Sequence, residues 1–392
     1  MRMLFHDIRK HLGTIDWFLV VCVTAALAFG FIAVMSATSI FPRIGRDQTR
    51  TLMVQAAAIF LGAVGAAILS KADYMHIAKY WKHLYVLSVV ALVAVRLFGV
   101  GGEGGVGNNS WFRIGPVGIQ PSEFVKITFI ITVAERLDKN KENINNIKNI
   151  IMLVIYFLIP FGLILWAGDL GNGLIYGFIF LSMCFAAGVS LWYFLGSVFV
   201  IGALSPLIWN SELLMPEYRQ MRILRGFDPT AVHDDWTFQV RRSQQAIGSG
   251  GLFGQGWRQG TITQWRVPGR IPEQWTDFIF SAIGEEFGFV GAILVLIILT
   301  LIVVRILMIA RTARNNVGSL ICMGVMAMLI AQIIVNLGMT LGLLPVIGIT
   351  LPFFSYGGSS ILSSLLCIGL VLGVNSRKNI YYFRRDENLD KY

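Results

Sequence analysis

Apolar residues run along this chain in ten blocks, each near the roughly 20 residues that a helix needs to cross a bilayer. The blocks lie near 17 to 37, 51 to 70, 84 to 100, 121 to 136, 149 to 166, 172 to 188, 190 to 208, 278 to 308, 317 to 341 and 352 to 374. They predict an all-α polytopic membrane protein of about ten transmembrane helices, in one domain over 1–392. A large polar loop, about 209–276, separates the seventh helix from the eighth. An even number of crossings puts both ends on one side.

Composition agrees: 55% of the 392 residues are hydrophobic and 14% charged, against roughly 25% charged in soluble domains. Basic residues then assign the sides. Lys71, Lys79, Lys82, Lys139, Lys141, Lys148, Arg311, Arg314, Arg377, Lys378, Arg384 and Arg385 fall in alternate short connections and the tail, joining Arg2, Arg9 and Lys10. That bias makes both termini cytoplasmic. Arg43, Arg46 and Arg50 in the first outside connection run against it.

The first block is too long for a signal-peptide core and no small-residue cleavage site follows it, so it is expected to remain as a span. Cys22, Cys184, Cys322 and Cys367 sit singly in apolar blocks, with neither metal spacing nor a disulfide framework. The net charge of +10 is dispersed over both faces. That excludes a nucleic-acid stripe and favours anionic lipid headgroups as counter-charge.

Asp277 stands where the polar loop turns into the apolar run Phe278-Ile279-Phe280. A carboxylate at a membrane edge is costly unless it faces water, a partner or a substrate. A helix cap is the plainer reading, since first-turn N–H groups and the dipole stabilise an anion. Glu285 and Glu286, roughly 12 to 14 Å deeper along the helix at 1.5 Å per residue, are more acids than capping needs.

Glu123 and Lys126 open the fourth span after Gln120-Pro121-Ser122, three residues apart and so on one face. A substrate cavity is one reading; an ion pair that only joins two helices is the other. Asp169, in Gly168-Asp169-Leu170-Gly171-Asn172, is either a site residue or a helix cap. Every basic residue of the 209–276 loop except His233 is arginine: Arg219, Arg222, Arg225, Arg241, Arg242, Arg258, Arg266 and Arg270. Guanidinium grips phosphate with paired hydrogen bonds. The alternatives are lipid phosphates and Glu212, Glu217, Asp228, Asp234, Asp235 and Glu273.

Two glycine-bearing segments promise irregular backbone. Gly248-Ser249-Gly250-Gly251-Leu252-Phe253-Gly254-Gln255-Gly256 lacks the strand and lysine of a phosphate cradle and reads as a lid or a tight re-entrant turn. Gly342 to Ser360, with Pro345, Pro352, Ser355, Gly357, Gly358 and Ser359, reads as broken helix at membrane depth. The Asn108-Asn109-Ser110 glycosylation pattern is too short and common to carry weight.

Four ordered motifs resemble the shape, elongation, division and sporulation (SEDS) family of bacterial membrane proteins. They are Trp111-Phe112-Arg113 with Gln120 to Lys126; Ser243-Gln244-Gln245-Ala246-Ile247-Gly248; Thr276-Asp277-Phe278-Ile279-Phe280 with Gly284-Glu285-Glu286; and Asn336-Leu337-Gly338-Met339 through Leu351 to Ser360. Gly256-Trp257, Gly260-Thr261 and Gln264 look more like its RodA branch than its FtsW branch. Two departures stand out. The family's Gln-Pro-Asp-Leu-Gly-Thr turn is Ala167 to Asn172 here, and Trp265 to Arg270 adds arginines.

The resemblance implies the SEDS fold and a peptidoglycan glycosyltransferase that polymerises lipid II outside the bacterial cytoplasmic membrane during elongation. A class B penicillin-binding protein and other elongation-complex membrane proteins are the implied partners. Inverting transfer to a sugar hydroxyl, with undecaprenyl pyrophosphate leaving, asks for one general base, assigned to Asp277, and cations for the leaving group. Arg113, Lys126 oriented by Glu123, and Arg242 are the candidate cations, with Asp169, Gln244, Ser355 and Ser359 as further substrate contacts. No cofactor is specified; a divalent cation, Mg or Mn, could share the pyrophosphate's charge, but no acidic cluster marks its place. A lipid II flippase and a non-catalytic scaffold are the rival readings.

Overall fold

The computed structural model describes residues 14–101, 109–114, 117–212, 235–266 and 271–389, with positions 215, 217, 220, 221 and 224. Among them the chain forms twelve helices and one hairpin. In order these are α1 (Trp17–Ala37), α2 (Gln48–Lys71), a short α3 (Tyr74–Lys79), α4 (Trp81–Phe98), the strands β1 (Phe112–Ile114) and β2 (Val117–Ile119), α5 (Pro121–Lys139), α6 (Ile147–Trp166) and α7 (Leu170–Ala186). Then come α8 (Leu191–Trp209), α9 (Asp235–Ser249), α10 (Ile279–Arg311), α11 (Asn316–Thr340) and α12 (Gly358–Leu389).

Each predicted span coincides with a helix, and eight of the helices are long and apolar enough to cross a membrane. Of the other two, α7 is apolar but has 17 residues. α5 carries Glu123, Lys126, Glu135, Arg136, Asp138 and Lys139. Side-chain oxygens start many of the helices by accepting a first-turn N–H, as Asp16 does for α1, Asp47 for α2, Asn146 for α6 and Asn315 for α11.

Three features depart from the sequence reading. The last span starts at Gly358, not near 352, because residues 351 to 355 close a buried turn in which Ser355 N–H donates to Leu351 O at 3.1 Å. The loop before α5 holds the antiparallel hairpin, with Arg113 opposite Gly118. The long loop holds α9, which docks on α10 and α11 through Ser243: its Oγ donates to Thr340 O at 2.6 Å and lies 2.6 Å from Ser281 Oγ.

α11 is the central helix, packed by α5, α7, α10 and α12. The closest approach is between α2 and α12, where a Cβ added to Gly369 would lie 2.5 Å from Ala66 Cα. Small residues let backbones meet, which is how helices associate where lipid offers no hydrophobic driving force. α8 stands apart and buries none of its residues.

The glycine run forms a tight turn locked onto α10. Gly288, at φ 65 and ψ −162, interrupts that helix and frees nearby backbone groups for other partners. Gln255 and Gly256 N–H donate to Glu285 O at 2.9 Å and Glu286 O at 3.1 Å, and Phe289 N–H returns a bond to Gly251 O at 2.9 Å.

The buried side chains of Glu285 and Glu286 hold the next stretch of loop. Glu285 accepts from Ile262 N–H and Thr263 N–H, both at 2.8 Å, from Thr261 Oγ1 at 3.0 Å and from Ser249 Oγ at 3.4 Å. Glu286 accepts from Ser36 Oγ at 2.5 Å, Gln264 Nε2 at 2.8 Å, Arg258 N–H at 3.1 Å and Thr263 Oγ1 at 3.5 Å.

Two outcomes follow. A Cβ at Gly254 would lie 2.2 Å from Glu286 O in a left-handed conformation at φ 82. Gly254→Ala is therefore expected to lose about 1–3 kcal/mol, read as a lower melting temperature in detergent. Glu285→Ala strands two N–H groups at roughly 1–3 kcal/mol each. Hydrogen exchange at Ile262 and Thr263 should rise sharply while α11 stays protected.

Candidate functional site

Asp277 sits in a turn ending at Phe278, one residue outside the helix. Phe278 occupies the N-cap position of α10 and makes no side-chain cap bond. The expected capping role for Asp277 is thus corrected: the turn prolongs itself, with Asp277 N–H donating to Glu273 O at 3.0 Å, and helical geometry starts only at Ile279.

Neighbouring segments fix that turn through its main chain. Asn336 Nδ2 on α11 donates to Asp277 O at 2.9 Å and to Ile349 O at 2.7 Å. Ser355 Oγ donates to Thr276 O at 2.5 Å, and Tyr356 N–H to Trp275 O at 2.8 Å. Gln274 Nε2 donates to Ala37 O at 2.8 Å and Thr263 O at 2.9 Å. The carboxylate is partly buried against the broken-helix segment: a Cβ added at Gly348, itself at φ 79, would lie 3.5 Å from Asp277 Oδ2.

Of the three arginines that break the charge rule, Arg46 packs on this turn and Arg43 on the loop beside it. Arg46 lies 5.2 Å over the Trp275 ring, which meets Phe41 edge to face at 4.7 Å. Arg43 Nη1 donates to Gln264 O at 3.2 Å.

A second polar cluster joins α5, α7 and α12. Lys126 is fully buried, 2.7 Å from Glu123 Oε1 and 3.1 Å from Asn172 Oδ1. Ser363 Oγ donates to the other Glu123 oxygen at 2.9 Å. The pair is enclosed by protein and bonds to α7 and α12. Asp169 is a helix cap that also joins this cluster. It caps α7 through Asn172 N–H at 3.1 Å, while its Oδ2 accepts from Gln120 Nε2 and Asn172 Nδ2 at 2.8 Å and from Ser122 Oγ at 3.1 Å. Asn172, where the family's turn has threonine, is the amide that links Lys126 to Asp169.

A small cleft opens beside this cluster, lined by Leu92, Val95, Ser110, Ser122, Ile164, Ala167 and Asp169. Arg113 is exposed on β1. The sequence reading missed Arg96, next to Val95 on α4. Its guanidinium lies 5.2 Å over the Trp166 ring, and its buried Nε has no acceptor among the described residues. The signal was a single arginine inside an apolar block.

The start of α12 links the two clusters. Ser355 holds the Asp277 turn, Ser359 Oγ accepts from Gln120 N–H at 3.1 Å and donates to Gly118 O at 3.3 Å, and Ser363 holds Glu123. Ser359 and Ser363, four apart on α12, share one face of that helix, and all three hydroxyls bond to protein groups.

Gln244 Nε2 binds Leu341 O at 2.9 Å, and Arg242 Nη1 binds Gln245 Oε1 at 3.0 Å. Arg258 Nη2 and Arg266 Nη2 donate to the carbonyls of Met35 and Arg258, each at 3.4 Å. Arg219, Arg222, Arg225, Arg270, Asp228, His233 and Asp234 lie outside the described residues. So does Asn108.

Among the described residues no group of three His, Cys, Asp or Glu could hold a metal ion. Asp169, Glu123, Glu285 and Glu286 already satisfy their oxygens within the protein, so they do not fit as ligands of a divalent cation.

Comparison with known proteins matches this architecture. A family model for FtsW, RodA and SpoVE, described as cell cycle protein, covers residues 16–380. A probable peptidoglycan glycosyltransferase FtsW of Trichlorobacter lovleyi is 32% identical over 93% of this chain and 94% of its own. The peptidoglycan glycosyltransferase MrdB of Escherichia coli is 33% identical over 76% of this chain and 78% of its own.

Among solved structures, a chain from a peptidoglycan synthase complex that coordinates polymerisation and crosslinking superposes with a TM-score of 0.78 at 30% identity, covering 93% of this chain and 98% of that one. The rod shape determining protein RodA of Thermus thermophilus gives 0.68 at 29%, covering 92% and 96%. The chain belongs to the FtsW, RodA and SpoVE family of polytopic membrane proteins.

Proposed function

We propose that this chain is a peptidoglycan glycosyltransferase that polymerises lipid II at the outer face of the bacterial cytoplasmic membrane, with both termini cytoplasmic. The names carried by its relatives support the reaction class. The observation that carries the residue assignment is the Asp277 turn, a carboxylate fixed through its main chain by Asn336 and adjoining segments.

In the reaction a sugar hydroxyl attacks the anomeric carbon of a second lipid-linked disaccharide. Asp277 takes the hydroxyl proton, the new glycosidic C–O bond forms on the face opposite the leaving group, and the bond to pyrophosphate breaks with its electron pair on oxygen. A pyrophosphate leaves without a proton, so one base suffices and cations do the rest.

Arg113, Arg242 and the newly identified Arg96 are the proposed pyrophosphate contacts. Lys126, buried and paired, is reassigned with Glu123, Asp169, Ser355 and Ser359 to positioning the elements around the substrate. Gln244 acts the same way for α9. A divalent cation, Mg or Mn, if used, would take its ligands from the substrate's pyrophosphate and would supply positive charge to the leaving group. Membership of the RodA branch and a role in elongation rest on Gly256-Trp257, Gly260-Thr261 and Gln264. A class B penicillin-binding protein as partner is supported by the synthase complex that this chain resembles.

Positioned base catalysis contributes about 10²- to 10⁴-fold, so purified Asp277→Asn should lose most polymerisation of lipid II in detergent while keeping its melting temperature. Polymer at the normal rate would reject the base. Transport of lipid II across vesicles without polymer would favour the flippase, and cell-wall synthesis that survives Asp277→Asn would favour the scaffold. Ser355→Ala removes two hydrogen bonds, the one from Leu351 N–H and the one to Thr276 O, the second taking about 1 kcal/mol from the Asp277 turn; kcat should fall about fivefold with little change in KM.

A further inference from the structure

Cations converge on one tryptophan at the end of α5 remote from Glu123, about 20 Å along the helix at 1.5 Å per residue. The buried ring of Trp81 has Arg136 Cζ at 5.3 Å, Lys139 Nζ at 5.8 Å and Lys82 Nζ at 5.9 Å from its centre. Arg136 also lies 5.2 Å from the Tyr156 ring, which meets Trp81 edge to face at 5.5 Å.

The rings satisfy the face of the Arg136 guanidinium but not its N–H edge. Arg136 Nε is shut off from solvent and has no acceptor among the described residues. The acid paired within this group is Glu135, 3.0 Å from Lys139. Three positive groups therefore face one negative group. α4 also begins at Trp81 without a side-chain cap, adding the positive end of its dipole.

A buried donor without an acceptor and clustered like charges are both unfavourable, and one anion with several acceptor oxygens removes both costs. The surroundings select a lipid. Leu87 and Val90 on α4, and Ile155 and Ile159 on α6, are apolar and exposed, a surface for acyl chains. We propose that Trp81, Tyr156, Arg136, Lys82 and Lys139 form a phosphate site for an acidic phospholipid of the phosphatidylglycerol class, in the leaflet away from Asp277.

The test is native mass spectrometry of the full chain titrated with phosphatidylglycerol, with phosphatidylcholine of the same acyl chains, and with inorganic phosphate. Phosphatidylglycerol adducts should dominate. Arg136→Gln should lower their occupancy about tenfold, the loss of one strong charge-assisted bond, and Lys82→Gln severalfold. Lys82 is exposed, so its variant carries the test should Arg136→Gln fail to fold. Equal retention of both lipids, phosphatidylglycerol binding unchanged in Lys82→Gln and in folded Arg136→Gln, or displacement of the lipid by millimolar phosphate would each overturn the assignment.

Discussion

Backbone polar groups released at membrane depth must find partners inside the protein, because lipid supplies none. Two irregular segments among the described residues are shaped by that constraint. Where Gly288 breaks α10, the freed groups bond to the glycine turn 251–256. Where residues 342 to 357 leave helical geometry, Asn336 takes Ile349 O, Gln55 bonds Ser355 O and Gly357 N–H, and Ser355 Oγ accepts from Leu351 N–H. The side chains that meet these demands also position Asp277, so fold and site rest on one set of bonds.

Much of the fold was legible because its strongest signal is local. Apolar runs located all ten spans within a few residues, except where Pro352 and the turn it belongs to delayed α12. The hairpin was not legible, since Phe112-Arg113-Ile114 and Val117-Gly118-Ile119 are too short to show a period. Nor was α9, whose apolar partners, Met339 on α11 and Ile262, Ile271, Phe278 and Val346 outside the helices, lie apart from it in sequence.

The site divided along the same line. Asp277, Asp169 and Glu123 with Lys126 were found because acids and bases in apolar surroundings are conspicuous. Their roles depended on partners far along the chain. Lys126 looks free to meet a phosphate until Asn172, 46 residues on, and Glu123 enclose it. Glu285 and Glu286 look like extra site acids until the loop N–H groups of Arg258, Ile262 and Thr263 fold onto them. Neither pairing leaves a trace in spacing.

This division bears on which acid can act as a base. A carboxylate whose oxygens already accept three or four hydrogen bonds from helices and loops is committed to holding them together. Asp169, Glu285 and Glu286 are in that position, and Glu123 holds Lys126 and Ser363. Each of the four ties a helix or a loop to its neighbour. Asp277 is held through its main chain, with its carbonyl accepting from Asn336 and its N–H donating to Glu273. That anchoring keeps the turn in place against α11 and the segment before α12, the fixed geometry that the proposed base requires.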